Sequence, residues 1–202
     1  MVESLERICA LICVYNEERE TIRGLIKRTK NYVDEVIVVD DGSTQNITKV
    51  IGETADYVIS HRKNLGKNMA LNSGFNFFLK NNYGAIITID GDGQHLPEEI
   101  PLFIRKLEQG YDVVVGKRDF RKREVPLPRK LGNMLDSWIL SNIIKEDIYD
   151  AQCGFRAFKR KAIELLYKKF SDLYRSYCYE QEIILTLIKE KINICWIDIT
   201  TI

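Results

Sequence analysis

The sequence predicts an α/β fold: a mostly parallel β-sheet with helices on both faces. Three observations predict it. Short β-branched apolar runs alternate with amphipathic stretches along nearly the whole chain. Acidic residues cluster just after several of those runs, where strands of such a sheet would end. No internal repeat, low-complexity tract or Gly/Ser linker interrupts the pattern.

Taken in order, Ile8–Val14 reads as a buried strand and Thr21–Lys30 as a helix. Val36–Val39 is a second strand, running into Asp40-Asp41-Gly42-Ser43, and Ile47–Ile51 follows as a short helix. Tyr57–Ile59 is a short strand. Asn68–Leu79 is a helix with Met69, Leu71, Phe75, Phe78 and Leu79 near one side. Ile86–Ile89 is the next strand and leads into Asp90. Pro97 suits the first turn of a helix reaching about Glu108. Val113–Val115 is another strand. Lys117–Lys130 holds seven basic and two acidic residues with Pro126 and Pro128, and reads as a basic, irregular loop. Leu131–Ile144, with Trp138, reads as an amphipathic helix. Phe155–Phe158 and Ile194–Ile199 read as strands, Lys161–Tyr167 and Glu180–Glu190 as helices. Residues 1–202 form one expected domain in two halves, 1–116 with the acidic strand ends and 117–202 opening on the basic loop.

Composition narrows the function classes. The chain has 202 residues, 45% hydrophobic and 29% charged, with 30 Lys and Arg against 29 Asp and Glu. A net charge of +1 argues against a nucleic-acid-coating protein, and the apolar content against global disorder. Five cysteines, odd in number and without a CxxC pair, read as reduced thiols of a cytosolic chain. No apolar run approaches the length of a membrane-spanning helix, so work at a membrane means sitting on it.

The acidic strand ends hold the chemistry. Asp40, Asp90 and Asp92 would repel one another in an empty site, and a divalent cation with nearby basic groups relieves that. Gly91 between two aspartates lets a ligand approach the backbone. Mg²⁺ and Mn²⁺ favour such oxygen ligands and share them with phosphates, so a metal-bound nucleotide diphosphate is the ligand expected. The plainer alternative is that Asp-Gly pairs make turns after strands.

Five segments together resemble the family 2 glycosyltransferases of GT-A fold. They are Val14-Tyr15-Asn16-Glu17-Glu18, Val38-Val39-Asp40-Asp41-Gly42-Ser43-Thr44, Asn64-Leu65-Gly66-Lys67-Asn68, Asp90-Gly91-Asp92-Gly93-Gln94-His95, and Asp150 followed by Ala151-Gln152-Cys153-Gly154-Phe155-Arg156. The last two are similar to the branch of dolichol-phosphate mannose synthase and the polyprenyl-phosphate glycosyltransferases. The resemblance implies that Tyr15, Glu17 and Asp40, with Val38 in the same motif, hold base and ribose. Asp90 and Gly91 would line the diphosphate; Asp92 and Gln94, with Asp90, would ligate Mg²⁺ or Mn²⁺. Arg118 and Arg129 would meet phosphates of donor or acceptor. Asp92 acts by holding metal rather than as a nucleophile. An acidic residue near the acceptor is expected at Glu182, with Asp150 its rival. The family's Pro two residues before the Tyr is Cys13 here, a small packed thiol.

The expected reaction is metal-dependent, inverting transfer from a nucleotide-diphosphate sugar to a polyprenyl or dolichyl phosphate. A lipid phosphate is already an anion and needs positive charge to dock, which the Lys117–Lys130 loop supplies. The expected location is the cytosolic membrane face, bound peripherally, with no nucleic-acid partner. Rival readings are transfer to a glycan hydroxyl, a non-catalytic nucleotide-sugar-binding protein, and a phosphatase of the haloacid dehalogenase type. The last is imitated by Asp90-Gly91-Asp92 but leaves Tyr15-Asn16-Glu17 unexplained. A calcium loop lacks Gly at the position of His95.

Overall fold

The computed structural model describes residues 5–44, 47–118, 148–170 and 179–200. The expected Leu131–Ile144 helix, Arg129, Cys178 and the basic loop beyond Arg118 lie outside the described residues.

The described elements run β1 (Ile8–Val14), α1 (Arg19–Thr29), β2 (Glu35–Asp40), α2 (Thr48–Gly52), β3 (Tyr57–Ser60), α3 (Lys67–Lys80) and β4 (Ala85–Asp90). A 3₁₀ turn (Pro97–Glu99) opens α4 (Ile100–Glu108), followed by β5 (Val113–Arg118), β6 (Arg156–Lys159), α5 (Arg160–Phe170), α6 (Tyr179–Lys189) and β7 (Ile194–Ile199). The strands lie side by side in the order β3-β2-β1-β4-β6-β5-β7. Only β6 runs against its neighbours β4 and β5; the other described pairings are parallel. β6 comes from the second expected half (117–202) yet sits between β4 and β5, which begin in the first (1–116), so the two halves share one sheet.

Strand alternation divides the core into two layers. Cys9 and Leu11 of β1 point to one face, with Ile37, Val39, Ile86 and Phe158, where Phe75 and Phe78 of α3, Leu166 of α5 and Ile183 of α6 cover them. Ala10, Ile12 and Val14 point to the other, with Val36, Val38, Ile87 and Val114, under Ile22 and Ile26 of α1 and Phe103 of α4. Each fully buried Ile, Leu or Val contributes about 1.5–3 kcal/mol. Gly74 lets α3 lie close on the sheet, since a Cβ there would come within 2.4 Å of Leu11. At the far end of α3, Arg160 donates to the carbonyls of Phe78, Leu79, Asn81 and Tyr83, satisfying acceptors that the helix end leaves open.

Candidate active site

Parallel register brings the acidic strand ends together. Val14 pairs with Asp40 across β1 and β2, and Cys13 with Asp90 across β1 and β4. Three loops therefore leave the sheet at one edge. Asn16 ties the first to the second. Its backbone takes a left-handed turn (φ 56°), its N–H donates to Ser43 Oγ (2.9 Å), and its Oδ1 accepts from the Thr44 N–H (2.8 Å). Asp41 ties the second to the start of α3. Its carboxylate accepts the Leu65 N–H (2.9 Å) and the Gly66 N–H (2.8 Å), and it faces His61 Nδ1 at 2.7 Å. The other ring nitrogen of His61 lies 2.9 Å from Ser73 Oγ of α3. Gly42 is required where the loops cross: its φ is +75°, and a Cβ would fall 2.3 Å from the Lys63 backbone.

These loops enclose a cavity of about 420 Å³. Carboxylates of Glu17, Asp41, Asp90 and Asp92 and the cations Lys67 and Arg118 share its wall. Tyr15, Gly91, Gln94, His95 and Gln152 complete much of the remainder. Gly91 permits this approach, since a Cβ there would meet the Cys13 carbonyl at 2.7 Å. Asp92 is exposed and accepts the Gln94 N–H at 3.0 Å, folding the Asp90–Gln94 turn back on itself. Burial, and then the facing charges of Asp92 and Asp90, raise the Glu17 carboxyl above its ordinary range.

Asp90 sits at the centre. Lys67 Nζ lies 2.7 Å from its Oδ1 and 2.9 Å from Glu180 Oε1 at the start of α6. His95 Nε2 is 3.7 Å from its Oδ2. Burial alone would raise the Asp90 carboxyl, but Lys67 and His95 hold it well below the usual carboxylate range. The same pairing with Asp90 and Glu180 outweighs burial at Lys67 and keeps its ammonium charged. Gly154 forms the floor: a Cβ there would stand 2.2 Å from Asp90 Oδ1. Beneath it, buried Arg156 donates to the carbonyls of Cys153 (2.7 Å), Ala151 (2.7 Å) and Glu180 (3.2 Å), joining the 151–153 turn to α6.

The second cation is set by a carboxylate. Arg118 Nε and Nη2 donate to the two oxygens of buried Asp150 at 2.7 and 2.8 Å, and the Arg118 N–H adds a third bond at 3.2 Å.

The structure thus gathers Tyr15, Glu17, Asp90, Gly91, Asp92, Gln94 and Arg118 on one cavity. It places others differently. Val38 is fully buried in the sheet face under α1, because its pleat position points it into the core. Asp40 is 3% exposed and accepts the Ser43 N–H at 3.0 Å, while its neighbour Asp41 lines the cavity. Asp150 reaches the site through Arg118. At the start of α6 it is Glu180 that meets Lys67; Glu182 is not among the described residues lining the cavity. Glu180, Asp41 and Arg156 had no separate role in the sequence reading, although Arg156 and Asp41 stand inside its motifs.

This crossed α/β sheet, with its cavity at the strand ends, is a GT-A fold. It is similar to glucosyl-3-phosphoglycerate synthase from Mycobacterium tuberculosis in complex with phosphoglyceric acid. The TM-score is 0.74 at 18% identity, over 97% of this chain and 71% of that one. The same enzyme in complex with Mn²⁺, UDP-glucose and phosphoglyceric acid aligns with TM-score 0.71 at 18% identity, over 95% of this chain and 69% of that one.

Residues 9–166 match glycosyl transferase family 2, and the chain belongs to that family. An uncharacterized protein of Methanocaldococcus jannaschii is 38% identical over 195 residues, covering 90% of this chain and 82% of its own. The undecaprenyl-phosphate 4-deoxy-4-formamido-L-arabinose transferase of Proteus mirabilis is 32% identical over 178 residues, or 81% of this chain. The chain spans about half the length of that transferase, 52%. Family membership sets aside the phosphatase and calcium-loop readings. Among the described residues no helix is long and apolar enough to cross a membrane.

Proposed function

We propose that the chain transfers a sugar, with inversion, from a nucleotide-diphosphate sugar to a polyprenyl or dolichyl phosphate. The observation that carries this reading is the mixed charge of one cavity wall, which holds Glu17, Asp90 and Asp92 together with Lys67 and Arg118. A metal-bound diphosphate has both kinds of partner in such a wall.

The residues fit a Mg²⁺ or Mn²⁺ ion. Asp92 is exposed to the cavity, Gln94 adds a neutral oxygen, and burial together with the facing charges of Asp92 and Asp90 raises the Glu17 carboxyl. Among the described residues no three His, Cys, Asp or Glu side chains form a ready-made cage. Mg²⁺ at such sites is commonly held by one or two carboxylates and completed by substrate phosphates. When bound, the ion neutralises charge on the departing diphosphate. Asp92 and Gln94, with Asp90, hold it. Tyr15, Glu17 and the Asp40-Asp41 turn border the nucleoside, and Gly91 gives the diphosphate room. Val38 contributes by packing beneath that turn.

In the reaction an acceptor phosphate oxygen attacks the anomeric carbon, and the bond from that carbon to the diphosphate oxygen breaks with its electron pair leaving on the nucleoside diphosphate. Arg118, oriented by Asp150, stabilises phosphate charge as it shifts. Arg129 is assigned to the acceptor phosphate from the sequence. A phosphate acceptor arrives as an anion and needs no base, which agrees with Asp150 and Glu180 being held by Arg118 and Lys67. Glu182 remains the carboxylate proposed near the acceptor. The naming of the Proteus relative supports a polyprenyl phosphate acceptor, and with it peripheral attachment at the cytosolic membrane face.

The test is a screen of radiolabelled nucleotide-sugars with native lipid extract, read by extraction into organic solvent. Mn²⁺-dependent label in the organic phase is expected, lost in EDTA and in Asp92→Asn. Transfer that persists in both EDTA and Asp92→Asn contradicts the ion; no label with any donor contradicts the lipid acceptor.

A further inference from the structure

Lys67 occupies an unusual place for a residue beside a cation site. Its ammonium bridges Asp90 Oδ1 (2.7 Å) and Glu180 Oε1 (2.9 Å), so two of its three donors are taken by carboxylates. Its backbone is fixed, because it opens α3 directly after Gly66 (φ 97°), whose N–H is held by Asp41. The Asp90 carboxylate rests close against the Gly154 backbone. The Lys67 side chain itself is 41% exposed and borders the cavity.

We infer that Lys67 is a resident cation which occupies Asp90 in the donor-free site and makes divalent-ion binding depend on the nucleoside diphosphate. This rests on the donor reading proposed above. An ion arriving alone must displace an ammonium already paired with two carboxylates. An ion arriving with a diphosphate brings phosphate oxygens that accept from Lys67 in place of Asp90. Glu180 stays as the second anchor and limits how far the ammonium moves. The ion and the nucleotide then bind with positive coupling, and by linkage each strengthens the other equally. Asp90 is kept charged and oriented throughout, without an unpaired buried carboxylate at any stage.

The experiment titrates the full chain with Mn²⁺, reading the paramagnetic resonance signal of the free ion, alone and with saturating UDP, GDP, CDP or dTDP. Wild type is expected to bind Mn²⁺ about tenfold more tightly with its preferred nucleotide. Lys67→Met is expected to bind Mn²⁺ alone about tenfold more tightly than wild type, with the nucleotide effect shrinking by the same factor. Lys67→Arg keeps the cation and is expected to restore weak binding of Mn²⁺ alone. A purely structural lysine predicts loss of Mn²⁺ binding in Lys67→Met, not a gain. Glu180→Gln gives an independent readout should Lys67→Met not fold: with Lys67 left wholly to Asp90, Mn²⁺ alone binds at least about threefold more weakly. Equal or weaker Mn²⁺ binding in folded Lys67→Met, or unchanged or tighter binding in Glu180→Gln, overturns the inference while nucleotide-dependent binding in wild type leaves the donor reading standing. Absence of Mn²⁺ binding in wild type with all four nucleotides overturns both.

Discussion

Arg118 closes on Asp150 as a two-point fork, 2.7 and 2.8 Å, with Asp150 only 2% exposed. The pair joins the end of β5 to the loop before β6 and leaves the guanidinium on the cavity wall. Asp150, the rival to Glu182 for the acidic residue near the acceptor, here orients Arg118. Burial opposes the Arg118 charge, yet the Asp150 hydrogen bonds outweigh it and raise the guanidinium further.

Removing either partner strands the other. Asp150→Ala is expected to destabilise the chain by about 3 kcal/mol, the usual scale for breaking a buried pair. Arg118→Ala leaves a buried carboxylate and costs a similar amount. The double substitution is expected to cost less than the sum, with a coupling of about 1–3 kcal/mol in urea unfolding. Strict additivity would show that the fork holds nothing together.

Asp41 ties its own loop to the start of α3. Asp41→Ala leaves the N–H groups of Leu65 and Gly66 without their acceptor and removes the partner of His61. A loss of about 3 kcal/mol is expected from two charge-assisted bonds, and Asp41→Asn, which keeps one oxygen, loses less. Hydrogen exchange at the Leu65 and Gly66 amides reads the effect directly: both accelerate in Asp41→Ala.

Most of the sheet was legible because its strands, β6 (Arg156–Lys159) excepted, carry β-branched apolar residues, and the site because its acids follow those runs in a recognisable order. What escaped depends on register and distance. Arg118 and Asp150 are 32 positions apart and meet only because β6 runs antiparallel beside β5. Glu180 and Glu182 are two helical steps apart, about 200° around the axis, so they face different ways. Which one meets Lys67 follows from how α6 docks on the sheet, a tertiary fact. The choice between Asp40 and Asp41 turns on the residue where β2 ends, and strand ends are the least certain feature of a sequence pattern.

The thiols give a pH-sensitive check on burial. Cys13 and Cys153 are pushed up to about 12, chiefly by burial, and burial raises Cys9 beyond the usual thiol range. At pH 8 roughly one in ten thousand Cys13 or Cys153 side chains is thiolate, so the folded chain is expected to resist iodoacetamide there. Cys13 and Cys195 are both half-buried, but burial raises the Cys195 thiol less, and Cys195 reacts earlier. Peptide mapping after a short exposure at pH 8 is expected to find Cys9, Cys13 and Cys153 unmodified. Their labelling in 8 M urea gives the positive control. Because the folded thiols ionise at higher pH than unfolded ones, raising the pH toward 10 favours the unfolded chain.

Gly154 offers the sharpest separation of site from scaffold. Its backbone is not in the left-handed region, so alanine is conformationally allowed. The added Cβ would stand 2.2 and 2.3 Å from the two Asp90 oxygens. Those oxygens belong to the end of a side chain, which can rotate away at small cost to the fold. It then leaves Lys67 and its aim into the cavity. Gly154→Ala is therefore expected to keep its thermal midpoint within about 4 °C of wild type, a loss of order 1 kcal/mol or less. Nucleotide binding in Mn²⁺ is expected to fall at least about tenfold, the scale of one lost charge-assisted contact. Calorimetric titration checks the second number and a melting curve the first. Unchanged nucleotide affinity in a folded Gly154→Ala chain would show that Asp90 does not need the position this glycine gives it.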